Sequence, residues 1–328
     1  MTILKLVEAR RIDKFEEVKL LLGDAVGDLN DMDSLTDEQL DLISGEHKEY
    51  YELDKFYHKL KVFLQSNIDK WLIDPIKGGL ILTPLEITDI FKNMINKMAT
   101  DKIIFMSATI LDIEGFINIL GLSKDDVHVI RVDSNFNPEK SPIIFEPTCK
   151  MNYQSLQNKE NLEKIKNKVI EILNKHQNEK GIIHTGNQTI SRYIMDNIFD
   201  ERLLVRLDDI TNMDIIKQHQ NSKEPTVLVS SSLSEGVDLK GDLSRFQIII
   251  KLPFLSLADQ RVKIKSQQND WYLCQMFRKF VQQCGRSTRN EEDYSVTYVL
   301  DSTFKYWYSK VKGKKWFSKK FMQRIIKK

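Results

Sequence analysis

From Lys102 onward, short apolar runs alternate with longer segments whose apolar residues recur every three or four positions. KIIFM, VHVIRV, GIIH, TVLVS, RFQIIIK and SVTYVLD are of strand length. Their near-continuous apolar character suits strands buried on both faces of a parallel sheet. Between them, IEGFINILG, SLQNKENLEKIKNKVIEILNKHQ, QTISRYIMDNIF and NDWYLCQMFRKFVQQCGRSTR carry helical spacing. The first of these stops at Gly121, a residue that accepts the left-handed turn ending a helix. Strands alternating with helices predict an α/β fold, a parallel sheet flanked by helices. Upstream the pattern differs. Residues 3–22 and 35–71 read as helical, the second with Ser34 as a capping residue and Glu38 nearby. Its polar bulk suits an exposed hairpin, giving an N-terminal helical segment ahead of the sheet. GGLILTP is then a short apolar run, and ITDIFKNMINKM is helical.

Composition narrows the class. The 328 residues include 49 Lys or Arg and 47 Asp or Glu, a net charge of +2, and 41% are hydrophobic. A chain of this size and composition builds a core without disulfide or metal staples. No apolar run reaches the roughly 18 to 20 residues of a membrane span, and charges interrupt MTILKLVEARR too early for a secretory signal. Cys149, Cys274 and Cys284 form neither a CxxC pair nor a zinc spacing. These features predict a reduced, cytoplasmic protein with no metal site and no membrane partner. The Lys-, Ile- and Asn-rich composition suits an AT-rich genome, a phage or a low-GC bacterium, and hence a bacterial or phage-infected cell.

The near-neutral balance conceals an asymmetry. Residues 24–54 are crowded with Asp and Glu, whereas no acid follows Asp301. The tail interleaves lysines with Phe304, Tyr306, Trp307, Tyr308, Trp316 and Phe317. Two readings stay open, and both can hold together. The tail binds a nucleic-acid backbone and stacks its bases, or it is an amphipathic terminal helix with aromatics inward and lysines solvated.

In open parallel sheets, ligands bind beyond the carboxyl ends of the strands. Ser107, Ala108 and Thr109 follow KIIFM; Thr185, Gly186 and Asn187 follow GIIH; SSLSEGVDLKG follows TVLVS. EGVDLKG sets Glu235, Gly236 and Asp238 in a strand-to-helix turn, where amides and carboxylates meet a ribose or a nucleic-acid phosphate. Before the last strand comes QQCGRSTR, with Arg286 and Arg289 three apart; on a helix, that spacing puts both guanidinium groups on one face. The competing reading of Arg289 is an ion pair with Glu291, Glu292 or Asp293. His184, at a strand end, reads as a packed, hydrogen-bonded histidine.

In order, SAT, HTGN, SEGVDLKGDLSRFQIIIKLPFLSLAD and QQCGRSTRNEEDYSVTYVLD resemble the second half of DinG/XPD-type superfamily 2 helicases, over roughly Gly79 to Asp301. The resemblance implies a RecA-like domain over 125–328, a part of the first motor domain with motif III over 79–124, and a helical, Arch-like remnant over 1–78. Ser107, Ala108 and Thr109 resemble motif III, which couples nucleotide state to DNA grip. Thr185, Gly186 and Asn187 resemble motif IV, and with Ser232 and Ser234 they are implied to hold single-stranded DNA. Glu235, Gly236, Asp238 and Gly285 are implied on the nucleotide side. Gln282, Arg286 and Arg289 resemble motif VI, whose arginines are implied to act as fingers on the γ-phosphate of ATP. Such fingers are worth about 10³ to 10⁵ in rate, and arginine suits the role through its planar, always-charged fork.

One part of such a motor is absent. No GxxxxGK followed by Ser or Thr occurs in the sequence, and no strand ends in a DEAH-like acid pair. In the family these elements, and often a four-cysteine iron–sulfur cluster, precede the Arch. ATP and Mg2+ are therefore expected to be held mainly by an N-terminal motor half that is not in this chain, and the chain alone is expected to be inactive. A split-gene product, a fragment of a longer protein and a degenerate helicase remain open. The alternative function is a non-catalytic nucleic-acid-binding or regulatory module. No dinucleotide fingerprint or nucleophile elbow supports a small-molecule enzyme.

Overall fold

A computed structural model describes Lys59 and residues 62–328, except 78, 99, 101, 133–135, 206–210, 232–238, 240, 269, 289–291 and 328. The expected helices over 3–22 and the start of 35–71 lie outside the described residues. The fold divides into two units. One takes in the described residues up to Phe105, Phe116–Val127 and Ala258–Lys265; the other takes in Met106–Gly115, His128–Leu257 and Ser266–Lys328.

In the first unit, β1 (Trp71–Ile76) and β2 (Gly79–Pro84) form an antiparallel hairpin. Trp71 thus begins a strand and ends the helical pattern read up to that residue. Its ring meets Phe63 edge-on at 5.2 Å, and its indole N–H donates to Ser66 Oγ at 2.5 Å. Helix α1 (Thr88–Lys97) follows, then α2 (Ile113–Leu120), which belongs to this unit from Phe116 on. Thr88 Oγ1 donates to Ile119 O at 3.1 Å, and Gly121 closes α2 at φ 65°, the left-handed conformation that the sequence pattern requires there.

The second unit is built on a seven-stranded sheet of order β5-β6-β4-β7-β8-β3-β9. In chain order its elements are β3 (Ile143–Cys149), α3 (Tyr153–Leu156), α4 (Lys159–Lys175), β4 (Gly181–His184), α5 (Gln188–Asn197), β5 (Leu203–Val205), α6 (Asn212–Asn221), β6 (Val227–Ser230) and β7 (Phe246–Ile249). After α7 (Gln260–Lys265), grouped with the first unit, come α8 (Trp271–Cys284), β8 (Val296–Asp301), α9 (Phe304–Val311), α10 (Lys319–Gln323) and β9 (Ile325–Lys327). Every pairing in this sheet is parallel, so helices cover both faces.

Successive strand residues point to opposite faces, and the core divides accordingly. Ile183, Ile248 and Leu300 meet Ile165, Val169 and Ile172 of α4 and Ile190 and Ile194 of α5. Ile249 and Val299 meet Phe277 and Phe280 of α8 and Phe304 of α9. Ile182 and Leu228 meet Ile215 and Ile216 of α6. The tail aromatics follow the amphipathic reading: Phe304, Trp316 and Phe317 are buried.

Two expected strands are not strands. Residues 102–106 and 127–132 carry no ladder, and Ile104, Met106, Ile130 and Val132 are 84%, 89%, 78% and 88% exposed. An apolar run marks a segment fit for a sheet interior, but the ladder needs a neighbouring strand, and neither run has one among the described residues. Conversely, β3 is a strand without a clean apolar pattern. Pro147 interrupts it where the register shifts between Phe145 and Cys149, the irregularity at which proline is tolerated.

His219 fastens α6. Thr226 Oγ1 donates to its Nδ1 at 2.7 Å, and its Nε2–H donates to Leu243 O at 2.7 Å. Burial holds the imidazole neutral, pulling its pKa from 6.5 to about 4. The unfolded chain takes up this proton below its ordinary pKa and the folded one does not. Stability is therefore complete above about pH 6.5 and falls towards pH 4, by about 3 kcal/mol for this residue. Urea midpoints across that window are expected to show the fall, and His219→Gln to make it shallower. An unchanged slope in the variant contradicts the assignment.

Candidate functional site

The turn after β4 is built inward and outward at once. Thr185 is fully buried: its hydroxyl meets Ser191 Oγ at 2.6 Å and donates to Asn187 O at 3.1 Å. Asn187 caps α5, its Oδ1 accepting from Ile190 N–H at 2.8 Å. Gly186 is exposed between them at φ 73°. A Cβ there would lie 2.9 Å from Lys251 Cβ, so the left-handed backbone and the lysine stem both require glycine. What the turn offers to solvent is Gly186 backbone, the capping Asn187 and the first residues of α5. The Thr185 hydroxyl is already engaged.

His184, one residue earlier, is buried against the face covered by α8. Burial holds it neutral, with a pKa pulled down to about 4; a hydrogen bond with Gln247 at 3.3 Å opposes this, and the Arg286 charge adds to it. It is a packed histidine, as its position in the sequence suggested. Around it the sheet face carries Gln247 and Thr297, and α8 and its exit contribute Gln283 and Arg286, all buried. Gln247 Nε2 and Gln283 Oε1 have no hydrogen-bond partner among the described residues. Each such orphan costs about 1 to 3 kcal/mol, so this polar seam is not there for stability.

Helix α8 ends before the paired arginines. Gly285 N–H closes it on Val281 O at 3.0 Å, and Arg286 and Ser287 lie in a bend. The expectation that both guanidinium groups share one helix face is corrected: the helix stops at Cys284, with Gly285 as its cap at φ −94° and Arg286 beyond it. Arg286 is 6% exposed. Ser287, fully buried, donates to Ser244 Oγ at 2.8 Å. The carboxyl end of α8 is held by a residue the tail's basic character conceals. Arg324 Nη2 donates to Cys284 O at 2.8 Å and its Nε to Ser141 O at 2.7 Å.

Residues 107–111 meet the same helix. Gln282 Nε2 donates to Thr109 Oγ1 at 3.3 Å, across 173 positions of sequence. Ser107 Oγ accepts from Thr109 N–H at 3.2 Å, and Ser107 and Ala108 are exposed. Leu111 is buried in the α8 core at φ 56°, a left-handed leucine, which costs roughly 1 to 2 kcal/mol. Such strain persists only where surrounding structure over-determines it.

Ser232, Ser234, Glu235, Gly236, Asp238 and Arg289 lie outside the described residues. Among the described residues, no three His, Cys, Asp or Glu side chains converge on a metal position. Burial raises the thiol pKa values of Cys149, Cys274 and Cys284, the last to about 12, the reverse of what a thiolate ligand needs. These donors fit neither a magnesium ion nor an iron–sulfur cluster. No helix among the described residues is long and apolar enough to cross a membrane.

A family model described as helicase C-terminal domain matches residues 158–322. The chain is similar to the 3'-5' exonuclease DinG of Staphylococcus aureus, with 22% identity over 225 residues, covering 64% of this chain and 25% of that protein. It is similar to the Fanconi anemia group J protein homolog of Gallus gallus, with 27% identity over 123 residues, covering 33% of this chain and 9% of that protein. Of solved structures, an XPD helicase superposes with a TM-score of 0.56 at 17% identity, covering 90% of this chain and 56% of that one. An apo XPD gives 0.55 at 18%, covering 85% and 61%. The chain thus spans about a quarter of the DinG relative and about three fifths of the XPD chains.

Arg324 makes two charge-assisted bonds to otherwise orphaned carbonyls, so Arg324→Ala is expected to lower stability by about 3 kcal/mol in urea unfolding. Arg324→Lys is expected to recover part of this. A loss below about 0.5 kcal/mol contradicts the role given to the bridge.

Proposed function

The chain belongs to the helicase C-terminal domain family, as the C-terminal half of a DinG/XPD-type superfamily 2 helicase, and on that premise we propose that it is the second motor domain of an ATP-dependent DNA helicase. The observation that carries this reading is the Gln282–Thr109 hydrogen bond. It joins the segment entering the arginine loop to the segment that follows an unpaired apolar run, which is the connection a nucleotide-driven motor needs.

ATP binds between this domain and a P-loop-bearing motor half, a separate chain or a segment of a longer one. That half would hold most of the triphosphate and its Mg2+, which would offset phosphate charge there. Two observations support an outside partner. The 328-residue sequence has no P-loop, and the runs 102–106 and 127–132 leave strand-forming apolar residues uncovered. Arg286 and Arg289 stabilise charge developing on the γ-phosphate. Arg286 lies in a desolvated wall, where a fixed charge acts strongly and needs no reorganisation. Glu235, Gly236, Asp238 and Gly285 line the nucleotide side. Gln282 passes the state of the arginine loop to Thr109 and so to Ser107 and Ala108.

Single-stranded DNA runs over the carboxyl edge of the sheet. The backbone of Thr185 and Gly186, with Asn187, Ser232 and Ser234, contacts its phosphates. Cleft closure and opening then move the strand. The site of action is the cytoplasm, in replication or repair. A non-catalytic nucleic-acid-binding module is the second reading, favoured by the acid-free basic tail.

Purified alone, the chain is expected to hydrolyse ATP at background rate with single-stranded DNA present; clear DNA-stimulated turnover contradicts the proposal. Supplied with a P-loop half, it is expected to turn over. Arg286→Ala and Arg289→Ala are each expected to lower kcat by about 10³ or more while single-strand binding persists. Full turnover in Arg286→Ala, with only its stability reduced, makes that residue a brace and overturns its finger role.

A further inference from the structure

The outward face of α9 takes no part in the site described above. Phe304, Trp307, Tyr308 and Val311 share the inward stripe and pack in the α8 core. Lys305, Tyr306, Ser309 and Lys310 therefore point away from it, and Lys312 follows; all are exposed. No acid occurs from residue 302 to the end of the chain. Among the described residues, the ion pair formed by this tail is Lys314 with Asp270, at the start of α8. The fold brings in a further cation that sequence order hides: Arg131 Nη1 donates to Lys315 O at 2.5 Å, across 184 positions.

The aromatic content of this face is a single ring. Tyr306 is 55% exposed. Trp307 meets it edge-on at 4.9 Å, and the Lys310 ammonium sits 5.3 Å from its centroid. A merely solvated helix face is served as well by mixed charges, which interleave both signs. A single-sign face around one supported ring instead matches a polyanion that also carries flat, stackable groups.

We propose that the outward face of α9, extended by Lys315 and Arg131, is a second contact for single-stranded nucleic acid, apart from the 185–187 turn. The lysines and Arg131 neutralise backbone phosphates, and Tyr306 stacks a base. The proposal rests on the motor reading, since it lengthens the strand path that the reading requires. It assigns grip to this face and leaves nucleotide chemistry untouched.

The test is fluorescence anisotropy of a labelled oligothymidylate with the full chain, titrated across salt. Three lysines removed together, Lys305→Gln, Lys310→Gln and Lys312→Gln, are expected to weaken binding about tenfold at low salt. They are also expected to make the slope of log K against log salt shallower by about 2, since each single-strand phosphate contact contributes about 0.7. Tyr306→Ala is expected to weaken binding about fivefold with the slope unchanged. All four positions are exposed, and an unchanged melting temperature verifies the fold. Wild-type affinity and slope in the triple variant overturn this proposal alone and leave the motor reading standing. No binding by the wild-type chain overturns the DNA contacts of both. Retained DNA binding with lost binding to anionic phospholipid vesicles makes the face a lipid contact and overturns the nucleic-acid assignment.

Discussion

The Arg324 guanidinium joins three parts of the second unit that are distant in sequence. It donates to Cys284 O, the last carbonyl of α8, and to Ser141 O, just before β3. Its own carbonyl accepts from Ile143 N–H at 2.6 Å, entering the pairing of β9 with β3. A helix leaves its final carbonyls without partners, and a cation there also opposes the negative end of the helix dipole. Here one side chain does both and ties that end to the sheet. Where α8 ends decides where Gly285, Arg286 and Ser287 begin, so the arginine loop takes its position from this bridge.

Two features of the loop's surroundings make sense once its position matters more than its stability. The face of the sheet beneath it carries His184, Gln247 and Thr297 where apolar side chains would pack better, and Gln247 keeps an unsatisfied amide. The segment that meets Gln282 contains a buried leucine held at positive φ. Both are costs. A network of buried polar groups and a strained residue restrict the local structure to few arrangements, as the proposed phosphate contact would need.

Much of the fold was legible in the residues because central parallel strands are apolar throughout. GIIH, TVLVS, RFQIIIK and SVTYVLD are β4, β6, β7 and β8 with small shifts at their ends. β3 escaped because Glu146 and Pro147 break its pattern, and β5 and β9 because three residues carry no periodicity. KIIFM and VHVIRV misled for the opposite reason: their composition suits a sheet interior, but no strand lies beside them among the described residues. The tail's apolar residues at 304, 307, 308 and 311 follow helical spacing and turn inward as the amphipathic reading has it, which leaves the outward lysines and Tyr306 to the other reading. Of the site, the turn at 185–187 and the α8 exit stood out by order along the chain. The cap from Arg324 did not, because a bond spanning 40 residues leaves no local signature.

The central claim is that this chain presents half of a nucleotide site, with its edge segments awaiting a sheet. Hydrogen–deuterium exchange over 102–106 and 127–132 measures it most directly, in the isolated chain and after mixing with a P-loop-bearing motor half and an ATP analogue. Fast exchange of both segments alone, with strong protection in the mixture, is the expected result. Protection already present in the isolated chain, or none gained in a mixture that hydrolyses ATP, would contradict it.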